Sequence, residues 1–157
     1  DEDNKPVRPI IIHRAILGSV ERMFAILTEH FAGKWPYWLS PKQVMIVPIS
    51  EASRDYAWEV KRHLRKAGHH VEVDDSDRKM QKKVREAQLE QCNYILVVGE
   101  SEKANSTVNV RTRDNKVHGE HTITSLIEVL NRERDSRSLT CCFEDNSADA
   151  APEAAAE

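Results

Sequence analysis

Between Val44 and Val98 the chain alternates between two periodicities, and few folds satisfy that. Val44 to Ile49, Val71 to Val73 and Tyr94 to Val98 are short apolar runs of strand length. Between them, Tyr56, Ala57, Val60, Leu64 and Ala67, then Met80, Val84 and Ala87, recur at helical spacing. Gly68 and Gly99 stand at element ends. Strand–helix–strand–helix–strand order implies parallel strands joined by right-handed crossovers. Thr107 to Arg113 then alternates strictly, with Val108 and Val110 on one face and Thr107, Asn109, Arg111 and Arg113 on the other. It reads as an antiparallel edge strand, followed by a turn at Asp114-Asn115-Lys116. Ile123, Leu126, Ile127 and Leu130 mark a last helix with Thr122 as candidate N-cap. The expected fold over residues 41–137 is α/β, a mixed and mostly parallel sheet of about five strands flanked by three helices.

Upstream, Pro9 to His13 reads as a strand, and Gly18-Ser19 breaks the chain. Ser19 is placed to cap a helix carrying Val20, Met23, Phe24, Leu27 and Phe31 up to Gly33. Lys34 to Pro41 holds two prolines and three large aromatics, so an extended linker pinned by its rings is expected. Residues 1–40 therefore look like the end of another domain. The chain opens at Asp1 without Met and reads as a piece of a longer one. Residues 138–157, rich in Asp, Glu and Ala, are expected to be disordered.

The net charge of −3 at first disfavours nucleic acid. The acidic residues concentrate at the ends, however: Glu144, Asp145, Asp149, Glu153 and Glu157 follow Phe143 with no base among them. The body between is modestly basic, which is compatible with RNA and also with an ordinary surface. Cys92, Cys141 and Cys142 form neither a disulfide framework nor a CxxC metal pair, and fit a reducing compartment. No apolar run approaches membrane-spanning length.

Three features bear on chemistry. His13, the Gly18-Ser19 turn and Arg22 form a strand–turn–helix start able to cradle an anion, but a capped helix with a surface Arg explains the pattern better on its own. Arg78, Lys79, Lys82, Lys83 and Arg85 surround a narrow apolar stripe, suiting either RNA phosphates or solvent. Asn109, Arg111 and Arg113, with Glu102 and Lys103 in the preceding loop, could bond unstacked bases, or form the polar side of an edge strand. Asp74-Asp75 at a strand end could hold Mg²⁺ but also fit a turn with a helix cap. Adjacent His69 and His70 point to opposite faces in a strand.

The segment H-R-A-I-L-G-S-V-E-R, His13 to Arg22, resembles the third signature motif of the class II threonyl-tRNA synthetases. The likeness continues through Lys34 to Pro41, in the eukaryotic form, and through Lys83 to Leu89, Tyr94 to Glu100 and Thr107 to Lys116. The resemblance implies an anticodon-binding domain that reads the second and third anticodon bases, G and U, of threonine tRNA. It makes Glu102 and Arg111 base contacts and places Asp77 and Lys79 in the matching loop and helix start. Asp77 stands where many bacterial members have Asn. Asn109, Arg113, Lys82 and Arg85 complete the expected RNA-binding set. The resemblance assigns Arg22 and Ser19 to the ATP pocket and His13 to one of three zinc ligands. The full enzyme is then expected to be a cytoplasmic homodimeric ligase using ATP, Mg²⁺ and Zn²⁺. The piece alone is expected to bind RNA, to hold no cofactor and to be inactive. A non-catalytic regulatory paralogue, or a small signalling or metal-binding α/β domain, remains the alternative.

Overall fold

The computed structural model describes residue 2 and residues 4–145. The chain divides into two compact units, Asp1–Gly33 and Lys34–Glu157. In the first, α1 (Val20–His30) starts at Ser19, whose Oγ accepts from the Arg22 backbone N–H at 3.4 Å and donates to Glu21 Oε2 at 2.6 Å. The expected strand at Pro9 to His13 is absent. Ile10, Ile11 and Ile12 lie in irregular, exposed chain, because apolar character alone cannot make a strand without a neighbour to complete its hydrogen bonds.

The second unit opens with a 3₁₀ turn, Tyr37–Leu39, then runs β1 (Val44–Pro48), α2 (Arg54–Lys66), β2 (Val71–Val73), α3 (Met80–Leu89) and β3 (Tyr94–Val98). After these come α4 (Glu100–Asn105), β4 (Thr107–Thr112), β5 (Val117–Thr122), α5 (Ile123–Ser136) and the short α6 (Cys142–Asp145). The strand order is β2-β1-β3-β4-β5. β1 pairs in parallel with β2 and β3, while β3–β4 and β4–β5 are antiparallel. The five-stranded mixed sheet matches the expectation, but its pairings are evenly divided rather than mostly parallel. The difference lies in β5. Its run of Val117 to Thr122 has no apolar alternation, so periodicity could not announce it, and it takes the edge position expected for β4.

Both faces of β1 and β3 are covered. Ile46, Tyr94, Leu96 and Val98 pack with Val60 and Leu64 of α2 and with Leu126 and Leu130 of α5. Val47, Ile95 and Val97 pack with Val84 and Ala87 of α3. Two segments close the first of these cores. Tyr37 is 1% exposed, and its hydroxyl meets His69 Nδ1 at 2.8 Å. The Trp35 carbonyl accepts from Asn93 Nδ2 at 2.9 Å and from Arg113 Nη1 at 3.0 Å. The Lys34–Pro41 stretch is thus a turn built into the domain, not an extended linker. Phe143 is 7% exposed, its ring against Tyr94, His118 and His121. The expected disorder from residue 138 is therefore corrected as far as residue 145: one aromatic among small and acidic residues suffices to dock the segment. The rest of that stretch lies outside the described residues.

Phe143→Ala is expected to lower unfolding free energy by about 3 kcal/mol, measurable by urea denaturation; an unchanged midpoint would mean the segment contributes nothing. A second expectation concerns His69, whose pKa is held below its ordinary 6.5 by burial and by the Arg134 charge, with Asn131 working against them. The unfolded chain then binds more protons than the folded one as pH falls below about 6.5, so stability should fall with it. Asp74 does not share this window: its pKa is already lowered below 3.8 in the fold, and its contribution is lost only in stronger acid. Thermal unfolding between pH 5 and 7 should show a slope that flattens in His69→Gln.

Candidate nucleic-acid interface

In open α/β sheets the loops at the carboxyl ends of parallel strands converge on one crevice. Here those loops are Ile49–Ser53 after β1, Asp74–Lys79 after β2 and the start of α4 after β3. β4 then runs antiparallel beside β3, so its polar side chains share a face with that end. Asn109 is paired with Val97, and Arg111 with Ile95. Both partners belong to the core layer under α3, which places Asn109 and Arg111 on the α3 side of the sheet. Val108 and Val110, facing the other way, are fully buried.

Neither of these β4 residues is satisfied by the protein. Asn109 Oδ1 and Arg111 Nε are buried atoms without a hydrogen-bond partner in the described structure. Unpaired buried polar atoms are costly, so a pair of them on one strand face points to a ligand that completes them. An acceptor and a guanidinium donor side by side suit the edge of a nucleobase. Across the sheet, Glu120 of β5 lies opposite Asn109 and is exposed. It is a carboxylate that the sequence reading missed, because the strand carrying it was missed. The β4–β5 turn is tied to α3 by Gln88 Nε2 donating to Asn115 Oδ1 at 3.1 Å. Asn115 itself adopts φ 63°, a left-handed position that Asn tolerates.

The remaining sequence candidates divide. Lys79, Lys82 and Arg85 are exposed along the start and outer side of α3, with no ion-pair partner among the described residues, and are free to meet phosphates. Two neighbours in the same basic run are not. Arg78 is bound to Glu86 and to Asp74, the latter at 3.1 Å. Lys83 is 5% exposed, with its ammonium 3.1 Å from the Asp74 carbonyl. Asp77 is fully open to solvent and pairs with Arg54 at 2.7 Å. Arg113 holds the Trp35 carbonyl and lies half-buried, so part of its guanidinium has a structural task.

Glu102 is not in a loop. It lies on α4, 8% exposed, and its Oε2 accepts from the Gly99 backbone N–H at 2.9 Å and from Ser101 Oγ at 3.1 Å. Residue 99 must be glycine for this: a Cβ there would come within 2.9 Å of Glu102 Oε2 and 3.0 Å of Ile49. One carboxylate oxygen thus caps the helix. Asp74, read as a candidate cation ligand, is a turn residue. Burial pushes its pKa up, but hydrogen bonds from Ser76 and the charges of Arg78 and Lys83 outweigh that and hold it low. Among the described residues no three His, Cys, Asp or Glu side chains converge as a metal site. His13 stands exposed in the first unit, as does Arg22. Cys92 is buried under α3, which raises its thiol pKa to about 11 and keeps it unreactive. No helix among the described residues is long and apolar enough to cross a membrane.

The description "anticodon binding domain" belongs to the family model that matches residues 43–133. Over 139 residues, 88% of this chain, the sequence is 58% identical to the cytoplasmic threonine–tRNA ligase 2 of Xenopus tropicalis, of which it covers 17%. It is 56% identical over 128 residues, 82% of the chain, to a mitochondrial threonine–tRNA ligase of Arabidopsis thaliana, covering 18% of it. The crystal structure of the RNA binding domain of threonyl-tRNA synthetase from Cryptosporidium parvum superposes with a TM-score of 0.71 at 45% identity, covering 77% of this chain and 30% of that one. The chain thus spans under a fifth of the length of these curated relatives.

Glu102→Ala should lower thermal stability by roughly 1 kcal/mol through the lost cap, whereas Arg111→Ala, which breaks no protein hydrogen bond, should leave it nearly unchanged. Calorimetric unfolding of the two variants separates a residue shared between fold and site from one belonging to the site alone.

Proposed function

The chain belongs to the anticodon binding domain family, and from that premise we propose that it recognises the anticodon of threonine tRNA as part of a threonine–tRNA ligase. The observation that supports this most directly is the unsatisfied pair on β4, Asn109 Oδ1 and Arg111 Nε, beside the partner-free cations Lys79, Lys82 and Arg85. The cations attract phosphates and bring the loop in. The β4 face then supplies direction. Arg111 donates to the Hoogsteen edge of a guanine; Asn109, and the Glu102 oxygen not engaged in capping, accept from base N–H groups. Asp77, one of whose carboxylate oxygens pairs with Arg54, is an acceptor and suits a base that presents an N–H.

In this reading Asp1–Gly33 is the end of the catalytic domain and the second unit, from Lys34 through the docked Phe143, is the anticodon-binding domain, followed by an acidic tail. Arg22 and Ser19 belong to the ATP pocket of the complete, Mg²⁺-dependent ligase. Ser19 acts there first by fixing the start of α1, which orients Arg22. His13 is one zinc ligand of three, and a single imidazole does not make a zinc site. The complete enzyme acts as a homodimer in the cytoplasm, the compartment printed in the name of the Xenopus relative, and the piece alone binds RNA without catalysing.

Titration with an anticodon stem-loop bearing GGU, against one with the two recognised bases exchanged, tests the proposal. Binding to GGU should be tighter, and Arg111→Ala should cost about 1–3 kcal/mol on the cognate loop while narrowing the difference between the two. Equal binding of both loops that vanishes with salt would reduce the domain to phosphate attraction and overturn base readout.

A further inference from the structure

A cavity of about 150 Å³ lies on the α5 side of the sheet, the face opposite the one that carries Asn109 and Arg111. It opens where β3 begins and β4 ends, and is closed by the Trp35–Tyr37 turn and by residues 139–141. Two of its lining side chains are more than nine-tenths buried and carry an oxygen with no hydrogen-bond partner: Asn93 Oδ1 and Thr112 Oγ1. Asn93 uses its amide nitrogen on the Trp35 carbonyl, which fixes the amide so that its oxygen is the unpaired end. Arg113 donates to the same carbonyl through Nη1 and is also among the residues that line the cavity. The carboxylates of Asp114 and Glu133 stand at the same wall; Glu133 accepts from the Tyr94 hydroxyl.

This charge pattern selects a ligand class. A simple anion would meet two carboxylates, and a simple cation would meet Arg113. A zwitterion satisfies both: its anionic group faces Arg113, and its N–H donors face Asn93 Oδ1, Thr112 Oγ1 and the acidic wall. A space of this size accommodates a molecule of about six to ten non-hydrogen atoms. We propose that this cavity is a binding site for a small zwitterion of the α-amino-acid class, on the face of the sheet opposite Asn109 and Arg111. The site joins the two segments that clasp the domain, so occupancy would stiffen the Trp35–Tyr37 turn and residues 139–141 together.

Isothermal titration of the 157-residue chain with glycine, L-serine and L-threonine tests this, with glycine betaine and acetate as controls. Betaine keeps both charges but has no N–H, and acetate lacks the cation. Saturable binding of an amino acid in the millimolar range or tighter, with neither control binding, is the expected result. Thr112→Val removes an unpaired hydroxyl at nearly constant volume, so the unliganded variant should melt at or above the parent temperature while binding at least about tenfold more weakly. Should that variant fail to fold, Asp114→Asn at the exposed rim should weaken binding instead. No saturable heat from any amino acid, equal binding of betaine, or undiminished binding in the folded variant would each overturn the proposal, leaving ordered water as the partner of Asn93 and Thr112.

Discussion

Everything in the second unit depends on the parallel pairing of β1 with β3. Their registers run from Val44 with Tyr94 to Pro48 with Val98, and nearly every side chain along both strands is buried. A strand pair that is apolar on both faces cannot face water on either, so helices must cover both sides. That requirement calls α2 and α5 to one face and α3 to the other. It also fixes the hand of the crossovers and brings the loops after β1, β2 and β3 to the same end.

The candidate interface arises where this fully buried half gives way to the antiparallel half. β4 still presents Val108 and Val110 to the core, but its other face carries Asn109 and Arg111. One strand is thereby core on one side and polar on the other. Its position is fixed by buried residues on the opposite face, which is how a polar pair without protein partners can be held in place. The same economy appears at Glu102, where one carboxylate oxygen starts a helix at the mouth of the site. Glu102 is therefore held by the fold itself, whereas Arg111 Nε is left without a protein partner.

A ring-to-ring chain joins the two ends of the domain. Tyr37 packs on Tyr94 at 5.5 Å between centroids, and Tyr94 on Phe143 at 5.6 Å. Burial first, and the neighbouring Glu133 charge second, raise the pKa of both tyrosine hydroxyls and keep them protonated. The entering and leaving segments are thus held by the first residue of β3, the strand on which the whole sheet is built.

The strands β1 to β4, the helices α2, α3 and α5 with their apolar positions, the caps at Ser19 and Thr122 and the basic character of α3 were legible in the sequence; α4 and β5 were not. Each legible feature rests on local periodicity or on a side chain reaching its own backbone. The likeness to an anticodon-reading domain was legible as well, since it rests on motifs in linear order. Tertiary structure alone decided the rest. It gave β5 its place, because a polar strand is recognised only by the neighbour it pairs with. It recruited Tyr37 and Phe143 to the core, because a lone aromatic shows no period. It sorted the basic run into bound Arg78 and Lys83 and available Lys79, Lys82 and Arg85, because sequence lists charges while only packing assigns their partners.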